Sequence, residues 1–162
     1  PIARARGEDA PTLDLLARGN GALKMFPFFD DGGETVFSVF QEFQVGQNGI
    51  DVGDSFTFTA YAFTGTGDTV AGNNQVYLTL KGLDANNGFA TVLDERSALI
   101  DSTSTPDTWI ELTTTATIPA NATIFQAVYE FRDCAGQAAG SDCFDAGSVY
   151  FDDGNLIENT TP

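Results

Sequence analysis

The chain contains no histidine. That removes Ser-His-Asp and Cys-His catalysis, His-dependent metal sites and lyases that need a histidine base. Carboxylates are plentiful, but no Glu-x-Asp-x-x-Glu run sets a pair across a cleft as glycoside hydrolysis in a β-sandwich needs. Glu42, Glu111 and Glu130 stand singly on separate segments. A phosphate loop and a basic aromatic patch are also absent from the sequence. The two cysteines, Cys134 and Cys143, are separated by small, flexible residues and have no competing thiol, so a disulfide is expected. A loop that short would gain about 2–3 kcal/mol from it. Two sulfurs without a histidine are too few ligands for zinc. What remains is non-covalent recognition. Tyr61, Phe63 and Tyr77 fall on outward phases of their segments, as do Gln75, Gln126, Glu130 and Arg132. Aromatic faces flanked by amides and charged groups are suited to stacking on and hydrogen-bonding polyhydroxylated rings. An enzyme is not expected.

The elements that must position these groups are strands. In residues 51–67, Phe56, Phe58, Ala60 and Ala62 point one way, while Thr57, Thr59, Tyr61 and Phe63 point the other. Glycine and aspartate turns bound the segment, which reads as a central strand of a two-sheet sandwich. Phe37, Val39, Gln41, Phe43 and Val45 share one face of a second strand, and Val76, Leu78 and Leu80 face inward in a third. Residues 109–118 and 123–132 alternate again, and the last strand is read as residues 148–153, with residues 155–158 following a glycine. Residues 94–107 are poor in apolar groups and read as a long loop. Residues 12–18 fit either a helical turn capped by Thr12 or an extended strand, with the strand favoured by the alternation after them. Strands between turns without a helical period mean an all-β protein, a two-sheet antiparallel sandwich or barrel.

At 162 residues the chain is long enough for one domain with a full core. No run of about 20 apolar residues is present, so no membrane-inserted helix is expected. The net charge of −16 repels phosphate backbones and argues against nucleic acid. Such a surface suits salty, Ca²⁺-containing water outside the cell. The expected disulfide points to the same secreted, extracellular address.

Five segments in order carry a family resemblance: Gly-Asn-Gly-Ala-Leu-Lys-Met, Phe-Gln-Glu-Phe-Gln-Val, Val-Gly-Asp-Ser-Phe-Thr-Phe-Thr-Ala-Tyr, Thr-Trp-Ile-Glu-Leu-Thr-Thr-Thr-Ala-Thr-Ile-Pro-Ala-Asn-Ala-Thr and Val-Tyr-Phe-Asp-Asp. Across residues 19–157 the chain resembles the jelly-roll carbohydrate-binding modules of the family 4/9/22 type. The resemblance implies a jelly roll that binds polysaccharide on a concave sheet, with a structural Ca²⁺ near the chain ends. It places the calcium carboxylate at Asp152 or Asp153, with Asn20 and Gly21 as candidate further ligands. It also implies that Trp109 packs under a loop.

The departure from that pattern is at the front, where nothing in residues 1–18 matches the Asn-Gly-Phe-Glu-like first strand of such modules. Residues 1–18 either replace that strand in another register or leave it to a second copy. Residues 19–158 then form the jelly roll, and residues 159–162 read as linker-like. If a neighbour's residues 1–18 fill the gap through Leu13, Leu15 and Leu16, the contact is non-closing and propagates. The alternative function is therefore a structural subunit of an extracellular filament, tube or surface layer, with other copies of the chain as partners.

Overall fold

A computed structural model describes residues 2–6, 21–27, 33–138 and 146–159. The described strands are β1 (Ile2–Arg6), β2 (Gly21–Met25), β3 (Thr35–Gln44), β4 (Ser55–Phe63), β5 (Gln75–Asp84), β6 (Ala90–Arg96), β7 (Ile110–Thr117), β8 (Ile124–Asp133) and β9 (Val149–Glu158). They form two antiparallel sheets, one in the order β1-β2-β9-β4-β7 and the other β3-β8-β5-β6. The fold is an all-β jelly-roll sandwich.

Side-chain alternation explains the layering. On β4, Phe56, Phe58, Ala60 and Ala62 are buried, as the period of two requires. On β7, Leu112, Thr114 and Ala116 point inward, whereas Glu111, Thr113, Thr115 and Thr117 are exposed. From the other sheet, Val76, Leu78, Leu80, Phe125, Ala127 and Phe131 meet them. The sheets interlock through aromatic pairs: Phe56 lies 5.1 Å from Phe125, and Tyr129 lies 5.2 Å from Phe58 and 5.0 Å from Phe151. β4 is central in its sheet, flanked by β9 and β7.

Four features of the strands have physical causes, and two of them depart from the sequence expectations. First, Ile2–Arg6 forms a strand, antiparallel to β2 with Ile2 opposite Met25. Secondly, the segment read as a loop from residue 94 is still paired at Arg96, opposite Thr79. Beyond it, Ile100 exchanges two backbone hydrogen bonds with Val76, at 2.9 and 2.8 Å, and is buried. A single anchored isoleucine holds down a polar stretch that lacks a strand's alternation. Thirdly, β9 does not stop at the glycine. Tyr61 pairs with Asp152 and Thr59 with Asn155, so a bulge absorbs Asp153 and Gly154, with Asp153 at φ 52°. Finally, a side chain at Gly154 would overlap the Tyr129 hydroxyl, which is why the strand needs glycine there. Residues 12–18, with Leu13, Leu15 and Leu16, lie outside the described residues. So do Asn20 and Cys143.

Candidate binding face

The outward phase of the four-stranded sheet gathers one set of side chains, of which Tyr77, Thr79, Gln126, Val128 and Glu130 are buried and Phe40 is exposed. Strand register sets its rows: Ser38, Glu130 and Tyr77 lie side by side, then Phe40, Val128, Thr79 and Arg96, then Glu42, Gln126, Lys81 and Asp94. At its centre Glu130 is 0% exposed. An ionised carboxylate survives there because it is surrounded by donors. The Tyr77 hydroxyl donates to Glu130 Oε1 at 2.8 Å, Arg132 Nε donates to the same oxygen at 3.0 Å, and the Lys81 ammonium pairs with Oε2. Burial pushes the Glu130 carboxyl up, but the hydrogen bonds from Lys81, Tyr77 and Arg132 outweigh it and hold the group below its ordinary range. Burial and the bond to Glu130 push the Tyr77 phenol far up, so it remains a neutral donor.

The cations are fixed as well. Arg132 Nη1 donates to Glu34 at 2.8 Å, and Glu34 also accepts from the Gly136 amide at 2.8 Å. Burial would lower the Arg132 pKa, yet Glu130 and Glu34 leave it raised. Arg96 bonds Asp94 at 2.7 Å and lies 4.7 Å from the Tyr77 ring centroid. The Arg132 guanidinium lies 6.0 Å from the same centroid, so Tyr77 is flanked by two planar cations. Gln126 Nε2 donates to Glu42 at 2.9 Å. Phe40, 52% exposed, offers a bare ring beside this network. The surface thus combines an apolar platform with preset donors and acceptors. The carboxylate at its centre is spent on three partners.

Of the residues singled out in the sequence, Gln75, Tyr77, Gln126, Glu130 and Arg132 come together here on β5 and β8. Tyr61 and Phe63 do not, and their grouping with the others is corrected. Both point outward, but from β4, which belongs to the other sheet and so faces the opposite side of the sandwich. Phe63 is 3% exposed and packs with Tyr150 and Trp109. Phe40, Lys81, Arg96, Glu42 and Glu34 join this face without having been expected there. For Phe40 the signal was present, because an aromatic sits on the opposite phase to Phe37, Val39 and Phe43.

At the candidate calcium position, the Asp153 amide donates to Asp152 Oδ1 at 2.8 Å in the β9 bulge. Gly21 opens β2, whose ladder with β9 begins at Leu23 opposite Phe151, so Gly21 and the two aspartates lie at the same end of that ladder. Among the described residues no group of three or more His, Cys, Asp or Glu side chains is gathered. A Ca²⁺ here would draw on the aspartates and on backbone oxygens, a donor set of the hard kind that it takes.

No known protein-family profile matches the chain, and neither does any curated protein. Solved structures do match in fold. The chain superposes on the CBM22-1 and GH10 modules of a Clostridium thermocellum endo-1,4-β-D-xylanase 10B complexed with xylohexaose, with TM-score 0.53 and 14% identity. That match covers 100% of this chain and 25% of the other. The CBM22-1 xylan-binding domain of Paenibacillus barcinonensis Xyn10C gives TM-score 0.53 and 10% identity, over 100% of this chain and 83% of that one. The enzymatically active domain of tailspike protein 4 from bacteriophage CBA120 gives 0.56 and 11%, over 98% of this chain and 18% of the other. What these structures share with the chain is a β-sandwich fold.

Proposed function

We propose that this chain is a non-catalytic carbohydrate-binding module of a secreted protein, holding polysaccharide against the outer face of the sheet β3-β8-β5-β6. The observation that carries the reading is the network around Glu130. Four side chains contributed by two neighbouring strands are locked into fixed directions beside the exposed Phe40 ring. Preset polar groups lose little entropy on binding, and an aromatic platform suits the C–H face of a sugar ring. The fold likeness to modules whose structures are described as xylan-binding supports the ligand class.

The same reading includes a structural Ca²⁺ at Asp152 and Asp153 and a disulfide between Cys134 and Cys143. Cys134 is buried, its amide donates to Asn74 at 2.9 Å, and there is no free cysteine among the described residues. Both features fit an extracellular address. Affinity electrophoresis against soluble xylans and β-glucans tests the function. Retardation of the intact chain, lost or strongly reduced in Phe40→Ala and Arg96→Ala, is the expected result. Unretarded migration on every polysaccharide would remove the proposal.

A further inference from the structure

The outer side of the five-stranded sheet carries a second concavity that the Glu130 face does not use. It measures about 450 Å³ and is lined by Phe63, Tyr150, the Gly65-Thr66-Gly67-Asp68 turn and Asp107. The rings of Phe63 and Tyr150, 6.2 Å apart, make its floor. Carboxylates and a hydroxyl stand at its rim. The turn is stapled from several sides: the Asp68 amide donates to the Gly65 carbonyl at 2.9 Å, the Asp107 amide to the Thr64 carbonyl at 2.8 Å and the Ser148 amide to the Asp68 carbonyl at 3.0 Å. Asp107 in turn accepts from the Thr66 amide at 2.9 Å and from the Thr66 hydroxyl, bonds that hold its carboxyl below the ordinary range. Asp68 accepts from the Ser148 hydroxyl and pairs with Lys24 at 3.5 Å, while the Lys24 ammonium lies 5.1 Å from the Tyr150 ring centroid.

We propose that this pocket is a second carbohydrate site, taking a single uncharged sugar ring through the Phe63 and Tyr150 floor and the Asp68, Asp107 and Thr66 rim. The amphipathic layout matches a pyranose, whose C–H face is apolar and whose edge carries hydroxyls that donate to carboxylates. Two carboxylates against one ammonium disfavour an anionic ring. The volume suits a single sugar unit rather than an extended chain. Only the choice of ligand class rests on the function proposed above; the site itself lies on the other sheet. With both sites occupied, one domain would bridge two glycan chains or grip one chain at two points.

The single tryptophan of the chain makes the site separately readable. Trp109 packs 5.2 Å from the Phe63 ring, so filling the pocket alters its emission, whereas ligand on the Glu130 face lies across the sandwich. The experiment titrates the intact chain with methyl β-xyloside, methyl β-glucoside and methyl β-galactoside and reads Trp109 fluorescence. At least one sugar should give a saturable change. Gly65→Leu should weaken it by about tenfold or more, because a side chain there enters the pocket, its Cβ lying 3.8 Å from Phe63 and 3.9 Å from Asp107 without a clash. Asp107→Asn, which keeps the loop's shape, should weaken it too, and Phe40→Ala should leave it unchanged. Emission that is flat for all three sugars would overturn the proposal, as would a response equal in Gly65→Leu, one lost in Phe40→Ala, or one produced by CaCl₂ alone. A Trp109 response without retention on polysaccharide would sink only the function proposed for the Glu130 face; retention without the response would sink only this site.

Discussion

At the scale of single residues, Glu130 decides how the binding face behaves. A carboxyl held below its ordinary value of 4.5 binds its proton less readily in the folded chain than in the unfolded one. It therefore contributes stability that is complete above about that pH and is lost as the pH falls through the depressed folded value. Glu130→Gln should flatten this acid limb, measured as the urea midpoint from about pH 6 to about pH 3. At neutral pH the variant should cost about 2–3 kcal/mol, because Lys81 and Arg132 lose their shared partner while remaining partly wetted. Tyr77→Phe removes one hydrogen bond to the same oxygen and should cost about 1 kcal/mol. Period-two alternation was enough to put Tyr77, Gln126, Glu130 and Arg132 on one outward phase. It could not show that Glu130 is closed to water, since that depends on Lys81, Tyr77 and Arg132 converging from adjacent strands through register.

At the scale of elements, β9 shows where local reading ends. Asp-Asp-Gly looks like a stop, and the local sequence suggests a strand followed by a short separate piece. In the fold the bulge at Asp153 and Gly154 keeps both halves on β4 and lets the Tyr129 hydroxyl come close to the backbone. Gly154→Ala should therefore destabilise by about 1–3 kcal/mol. Adding Tyr129→Phe should return part of that loss, because the colliding atom is the hydroxyl oxygen. A double-mutant cycle by urea denaturation reads the coupling, and strict additivity would contradict the contact. Strand β1 was hidden for another reason: Ile-Ala-Arg-Ala-Arg has one large apolar group, and its pairing to β2 comes from backbone geometry. The separation of Tyr61 and Phe63 from the rest was likewise illegible, because outward phase does not reveal which sheet a strand joins.

At the scale of the whole molecule, the charge of −16 and the proposed Ca²⁺ belong together. Self-repulsion on an acidic domain is relieved by a bound divalent cation, and a ligand that binds only the folded state raises the melting temperature by mass action. Melts in EDTA and then in excess Ca²⁺ should differ by several degrees, about the effect of 1–3 kcal/mol in a domain of this size. Asp152→Ala should abolish the difference, and identical melts for the intact chain would remove the metal from the account. The sandwich itself was legible because its core is built from long alternating runs such as Phe56 to Ala62. The central claim is that the Glu130 face holds a glycan, and isothermal titration with xylohexaose and cellohexaose tests it most directly. Saturable heat is expected with at least one of them, vanishing in Phe40→Ala while the variant's circular dichroism stays unchanged. Absence of heat with either oligosaccharide, or equal binding by Phe40→Ala, would contradict it.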